Sequence, residues 1–167
     1  MNLSQKYTAL LDEAGRRSLP DIDNIRLCFQ LLSLANMIDD DCARLLAPHG
    51  LSEGRFVVLF LLDAHADGLA PNILAEQAGV TRATMTGLLD GLERANLIVR
   101  HADAQDRRAL RIALTQQGKR LAGKLFVQHG QWIASLFADL DHKERKQLFT
   151  LLDKVATGIA TRKAENV

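Results

Sequence analysis

The sequence predicts a mainly α-helical chain that carries one small β-hairpin. Three observations predict it. Apolar residues recur at three- and four-residue spacing along most of the 167 residues. Two short β-prone runs, residues 97–100 and 110–114, flank a polar turn rich in Asp and Arg. Helix-capping residues and Gly or Pro breaks separate the periodic segments at regular intervals.

Residues 3–17 read as a weakly amphipathic helix that ends near Ser18-Leu19-Pro20. Asp21 or Asp23 is placed to cap a second helix running to about Ala47. Its apolar positions are Ile25, Cys28, Phe29, Leu32, Ala35, Met37, Ile38 and Cys42. Pro48-His49-Gly50 stops it. Ser52 caps a third helix reaching about Ala66, apolar nearly all round and therefore central to the core. Asp67-Gly68 makes a turn. Pro71 suits the first turn of a short helix ending at Ala78-Gly79. Thr81 caps the next helix, which reaches about Ala95 and turns Met85, Leu88, Leu89 and Leu92 inward. After the hairpin, Thr115 signals a helix over about 117–140. Asp141 caps a last one over about 143–161.

The composition is that of an ordinary globular protein, 47% hydrophobic and 25% charged. The longest apolar run, residues 56–62, is far short of the ~18 residues of a membrane span. The N-terminus lacks a basic head followed by an apolar stretch, so no secretory signal is expected. A cytoplasmic protein with no membrane partner follows. Two cysteines, Cys28 and Cys42, suit a reducing compartment.

The net charge of +1 hides an uneven distribution. Residues 1–79 hold 6 Lys/Arg against 11 Asp/Glu, residues 80–124 hold 9 against 4, and residues 125–167 hold 6 against 5. A polyanion responds to local positive charge more than to the net value. The basic middle contains a particular order of elements: helix, tight glycine turn, helix, hairpin. Ala75, Gly79, Met85 and Leu88 fall at the offsets a helix-turn-helix needs. The second helix then begins with a polar face of Thr81, Arg82, Ala83, Thr84 and Thr86. A helix entering the major groove presents its N-terminal residues to base edges. Arg can read guanine, and Thr can meet phosphate, base edges or the thymine methyl. The hairpin beside it becomes a wing. At its tip Arg107 and Arg108 are suited to a narrow minor groove, braced by Asp103 or Asp106. The fold expected is a winged helix-turn-helix domain flanked by N- and C-terminal dimerisation helices.

Residues 74–118, LAEQAGVTRATMTGLLDGLERANLIVRHADAQDRRALRIALTQQG, resemble the MarR family of winged-helix regulators. The DxxDRR wing followed by xLT and a glycine is the most specific part, and the likeness extends over roughly residues 21–160. The resemblance implies an obligate homodimer on a pseudo-palindromic operator. It assigns Arg108 to the minor groove and Thr81 to Thr86 to the major groove. Many members carry basic residues where this chain has Gly87 and Gly91. The expected segments are 1–50 for dimerisation, 51–115 for DNA binding and 116–167 for dimerisation. The second case for a dimer is physical. Trp132, Ile133, Leu136, Phe137, Leu140, Leu148, Phe149, Leu151, Leu152 and Val155 exceed what a small core covers.

The resemblance also implies a small aromatic or carboxylate effector, or an oxidant, that releases the protein from DNA. Arg55 is placed to hold a carboxylate bidentately, with Phe29, Met37 and Phe56 as apolar walls. The plainer reading makes Arg55 an exposed residue with core neighbours. Leu27-Cys28-Phe29 resembles the reactive-cysteine segment of hydroperoxide-sensing members. The matching tyrosine positions are Leu32 and Cys42 here, so Cys28 is expected to be a small core residue. Cys28 and Cys42 lie about 21 Å apart by helical rise and cannot bridge within one helix. The residues 19–23 resemble the start of urate-responsive members, but the tryptophan is missing there and Val57 replaces an acidic residue.

The five histidines form no close ligand pair, and Asp39-Asp40-Asp41 reads as a solvated face, so neither a metal nor a cofactor is expected. Nucleophile elbow, phosphate loop and HExxH are all absent, leaving an enzyme reading without support. Two alternatives to a ligand-released repressor stay open: a Cys28 oxidant sensor, and a winged-helix protein-interaction module that never binds DNA.

Overall fold

The computed structural model describes residues 3–102 and 110–165. The elements run α1 (Gln5–Arg16), α2 (Ile22–Leu46), a 3-10 turn (Ala47–His49), α3 (Glu53–Asp63), α4 (Pro71–Gln77), α5 (Arg82–Arg94), β1 (Ile98–Ala102), β2 (Leu110–Leu114), α6 (Gln116–Ser135) and α7 (His142–Glu165). This is the mainly helical winged fold read from the sequence. Two compact units divide it, residues 1–122 and 123–167.

In the first unit the core collects around α3. Val58 and Leu59 are fully buried, with Leu46 from α2, Leu74 from α4, Leu92 from α5 and Ile112 from β2. α3 is apolar nearly all round, yet Phe60 stays 42% exposed, so one side of the helix faces outward from this core. Ser52 caps α3 through Oγ, which accepts from Arg55 N at 3.4 Å. Asp21 does not cap α2 with its side chain. Its backbone is left-handed, φ 55°, whereas a side-chain cap requires an extended backbone. The Asp21 carbonyl starts the helix instead, accepting from Asn24 N at 2.9 Å. α1 packs on α2 through Leu11 and Ala14, both buried, and through the Tyr7 ring stacked on Phe29 at 5.0 Å.

β1 and β2 pair antiparallel, with Ile98 opposite Leu114 and Ala102 opposite Leu110. Leu69 adds one rung, exchanging two backbone hydrogen bonds with Ile112 at 2.9 and 2.8 Å. α6 starts hard against this sheet. Thr115 Oγ1 donates to Asn96 O at 2.8 Å and accepts from Gly118 N at 3.0 Å. A Cβ on Gly118 would collide with the Leu97 carbonyl oxygen and lie 3.0 Å from its carbon, so the close approach requires glycine.

In the second unit α7 begins with a capping box. Glu144 N donates to Asp141 Oδ1 and Asp141 N to Glu144 Oε2, both at 2.8 Å. Ile133, Ala134, Phe137, Leu148, Phe149 and Leu152, with Arg145, line an apolar groove of about 400 Å3. Among the described residues no single helix is long and apolar enough to cross a membrane.

Candidate nucleic-acid interface

The helix-turn-helix is built as its spacing implies. Ala75 is buried, so α4 and α5 can touch. Gly79 sits at φ 65°, the left-handed backbone the tight turn demands. Val80 N then donates to Ala75 O at 3.0 Å, closing the end of α4. Met85, Leu89 and Leu92 are almost wholly buried and pin α5. Leu88 lies over Gly54, where a Cβ would sit 3.2 Å from Leu88 Cδ2.

This packing leaves Thr81, Arg82, Ala83, Thr84 and Thr86 exposed at the start of α5. The hydroxyls are already ordered. Thr81 Oγ1 caps the helix by accepting from Thr84 N at 3.1 Å and lies 2.9 Å from Thr84 Oγ1. Thr86 Oγ1 donates to Arg82 O at 3.0 Å, which leaves its lone pairs as acceptors. Arg82 and Thr86 also line a cleft of about 540 Å3 with Pro71, Asn72 and Leu110. Asn72, which the sequence did not single out, lies in this cleft beside the polar face of α5.

The basic segment divides by what its arginines touch. Arg100 pairs with Asp90 through Nη2, and its Nε lies 3.2 Å from Glu93 Oε2 without hydrogen-bond alignment. Arg94 Nε donates to Asp90 O at 3.2 Å, and Arg111 Nη1 to Gly68 O at 3.0 Å. Arg100 and Arg111 are thereby tied into the fold and Arg94 to its own helix, and Arg82 is the cation at the exposed start of α5. Arg107 and Arg108, with Asp103 and Asp106, lie outside the described residues.

The four residues proposed for an effector occupy different settings. Phe56 is buried, Phe29 is half-buried under Tyr7, and Met37 is 55% exposed. Arg55 is half-buried, its Nη1 donating to Gly50 O at 3.4 Å. Cys28 is exposed in the chain and is not the core residue its spacing suggested, because it shares the open face of α2 with the exposed Leu27, Leu31 and Leu32. Cys42 is the buried thiol. Desolvation by burial, then the nearby charges of Glu53, Asp39 and Asp41, push its pKa up, so it is held as a thiol. Among the described residues no group of three His, Cys, Asp or Glu is close enough to hold a metal ion.

A family model described as MarR family matches residues 51–110, the span from the start of α3 to the start of β2. The HTH-type transcriptional repressor YetL of Bacillus subtilis is 31% identical over 148 residues, covering 88% of this chain and 89% of its own length. The chain belongs to the MarR family. Solved structures agree with this MarR-family assignment. The Staphylococcus aureus MepR–DNA complex has a TM-score of 0.67 at 27% identity, covering 78% of this chain and 96% of that one. CouR of Rhodococcus jostii RHA1 bound to p-coumaroyl-CoA has a TM-score of 0.64 at 28% identity, covering 78% and 91%. This MarR-family chain is thus a transcriptional regulator, of the winged-helix fold. Its relatives favour neither the oxidant-sensor reading nor the protein-interaction module.

Proposed function

We propose that this chain is a homodimeric repressor that binds a pseudo-palindromic operator and is released by a small aromatic or carboxylate effector. The exposed, internally ordered Thr/Arg face at the start of α5 carries this reading. Arg82, Thr84 and Thr86 meet base edges, while Thr81 holds the helix start against phosphate. Arg107 and Arg108 grip backbone and minor groove from the wing. Residues 1–50 and 116–167 dimerise, and residues 51–115 bind DNA. The described DNA complex of MepR supports the first half of the proposal and the p-coumaroyl-CoA complex of CouR the second. Arg55, with Phe29, Met37 and Phe56 as apolar walls, is the candidate for an effector carboxylate, although its guanidinium is already engaged within the fold by Gly50 O and against Gly91. The protein works in the cytoplasm on double-stranded DNA and itself, without a cofactor and without a catalysed reaction.

The test is a salt titration of binding to the DNA upstream of its own coding sequence, with random DNA as control. A steep salt slope and a preference of ~10³-fold or more for the upstream DNA is the expected result. Equal, weak affinity for both would turn the search to protein partners. Arg108→Ala is expected to lower operator affinity by about 1–3 kcal/mol with thermal unfolding unchanged, as for loss of one specific contact. Unchanged binding at matched salt would take the wing out of the mechanism.

A further inference from the structure

We propose that Arg55 is a latch that sets the angle of α5 against α3, and so sets operator specificity without touching DNA. The inference rests on the DNA-binding reading above. Two contacts interlock these helices, each with a glycine on one side. Gly54 of α3 receives Leu88 of α5, and Gly91 of α5 receives the guanidinium of Arg55 of α3. A Cβ on Gly91 would stand 2.6 Å from Arg55 Cζ and 2.7 Å from Nε, and would overlap Nη2. The guanidinium therefore occupies the place where any other residue at 91 would carry its side chain.

The same guanidinium reaches a third element. Arg55 Nη1 donates to Gly50 O at 3.4 Å, just past the end of α2 and its 3-10 turn. One half-buried cation thus ties the exit of α2, the start of α3 and the last turn of α5. The electrostatics agree. Gly91 lies near the C-terminal end of α5, where the helix dipole favours a cation. Glycine is a poor helix former, and at Gly91 its retention has a geometric reason. Gly87, one turn earlier, has nothing within 4 Å of the same construction, so the requirement is local to the Arg55 contact.

The lever is long. Arg82 lies nine residues before Gly91, about 13 Å by helical rise, so a tilt of about 5° at the latch moves the base-reading residues by ~1 Å. A shift of that size degrades hydrogen bonds to base edges before it degrades looser phosphate contacts. Arg55 is a positioning residue, and the consequence is lost discrimination at constant phosphate number.

The experiment measures binding to the upstream DNA and to random DNA across a salt series. It uses the wild type, Arg55→Ala, Gly91→Ala and the double variant, with thermal unfolding of each. Arg55→Met, which keeps the aliphatic stem, replaces Arg55→Ala if the latter does not fold. Each single variant is expected to lower the preference for upstream DNA about ten-fold, the size of one impaired base contact. The slope of log Kd against log salt stays as in the wild type. The double variant is no worse than Arg55→Ala, because no guanidinium remains for the new Cβ to displace. A salt slope reduced by about one phosphate in Arg55→Ala would overturn the latch and make Arg55 a backbone contact. Additive losses, or single variants that keep the preference of a discriminating wild type, would overturn it too. A wild type with no preference would remove the DNA-binding reading and the latch with it.

Discussion

Arg82 and Arg100 belong to one basic segment, yet they have opposite assignments, and the difference comes from neighbours 10 and 7 residues before Arg100. Asp90 and Glu93 lie on the face of α5 that meets β1, so Arg100 is neutralised within the fold. The sequence shows the charges but not this pairing, since a helix and a strand bring them together. Arg100→Met is expected to lower stability by about 1 kcal/mol, because both carboxylates are roughly half exposed and solvent screens the pair. The salt slope for DNA stays unchanged, and a slope lowered by about one would return Arg100 to the DNA face. Cys42 gives a pH prediction. Its folded pKa is raised, so between the ordinary thiol value and that raised value the folded chain keeps a proton the unfolded chain has lost. The stability linked to Cys42 is complete below pH ~8.5 and is lost as pH rises through the folded value. Urea midpoints at pH 7 and 9.5 should therefore fall further for the wild type than for Cys42→Val. Equal falls would show that other groups set the alkaline limit.

At the scale of elements, caps were legible except at α2, where the Asp21 side chain does not cap, and ends were less so. Ser52, Thr81, Thr115 and Asp141 each accept the hydrogen bond their position implied. α3 ends at Asp63, short of Ala66, because His65 Nδ1 engages the Leu61 carbonyl at 2.8 Å. α6 ends at Ser135, short of Leu140. There the Ser135 hydroxyl donates to Trp132 O at 2.7 Å, competing with the backbone bond from Leu136. Short-range competition of this kind leaves no periodic trace, so periodicity overran both helices. The glycines divide in the same way, since sequence cannot tell a spare glycine from a required one. Gly87→Ala, in open space within α5, is expected to raise stability by about 1 kcal/mol. Gly118→Ala, driven into the Leu97 carbonyl, is expected to lower it by about 1–3 kcal/mol. Thermal unfolding of the pair checks both signs. A stabilising Gly118→Ala would mean that α6 does not seat against β1 this tightly.

For the whole molecule, the winged fold was legible because one contiguous segment, 74–118, encodes the turn, the recognition helix and the wing together. The effector group proposed from the sequence is less well defined, since Phe29, Met37, Arg55 and Phe56 come from two helices whose facing sides depend on what covers α2. We propose that a second copy of the chain supplies that cover. α2 exposes Leu27, Leu31, Leu32, Leu34 and Met37, and the second unit exposes Ile133, Phe137, Phe149, Leu152, Val155 and Ile159. Phe149 is 73% exposed, an extreme value for a side chain of which complete burial is worth ~2–3 kcal/mol. Apolar surface on this scale matches a stable interface of ~1,600 Å² or more. Sedimentation of the wild type at micromolar concentration should give a dimer. Phe149→Glu with Leu152→Glu should give a monomer that still unfolds cooperatively, because the core around α3 lies in the other unit. That monomer should bind the full operator at least ~100-fold more weakly, since the second half-site becomes a separate binding event. A wild-type monomer, or a monomeric variant with unaltered operator affinity, would mean that each chain reads its DNA alone and that the exposed leucines and phenylalanines serve another contact.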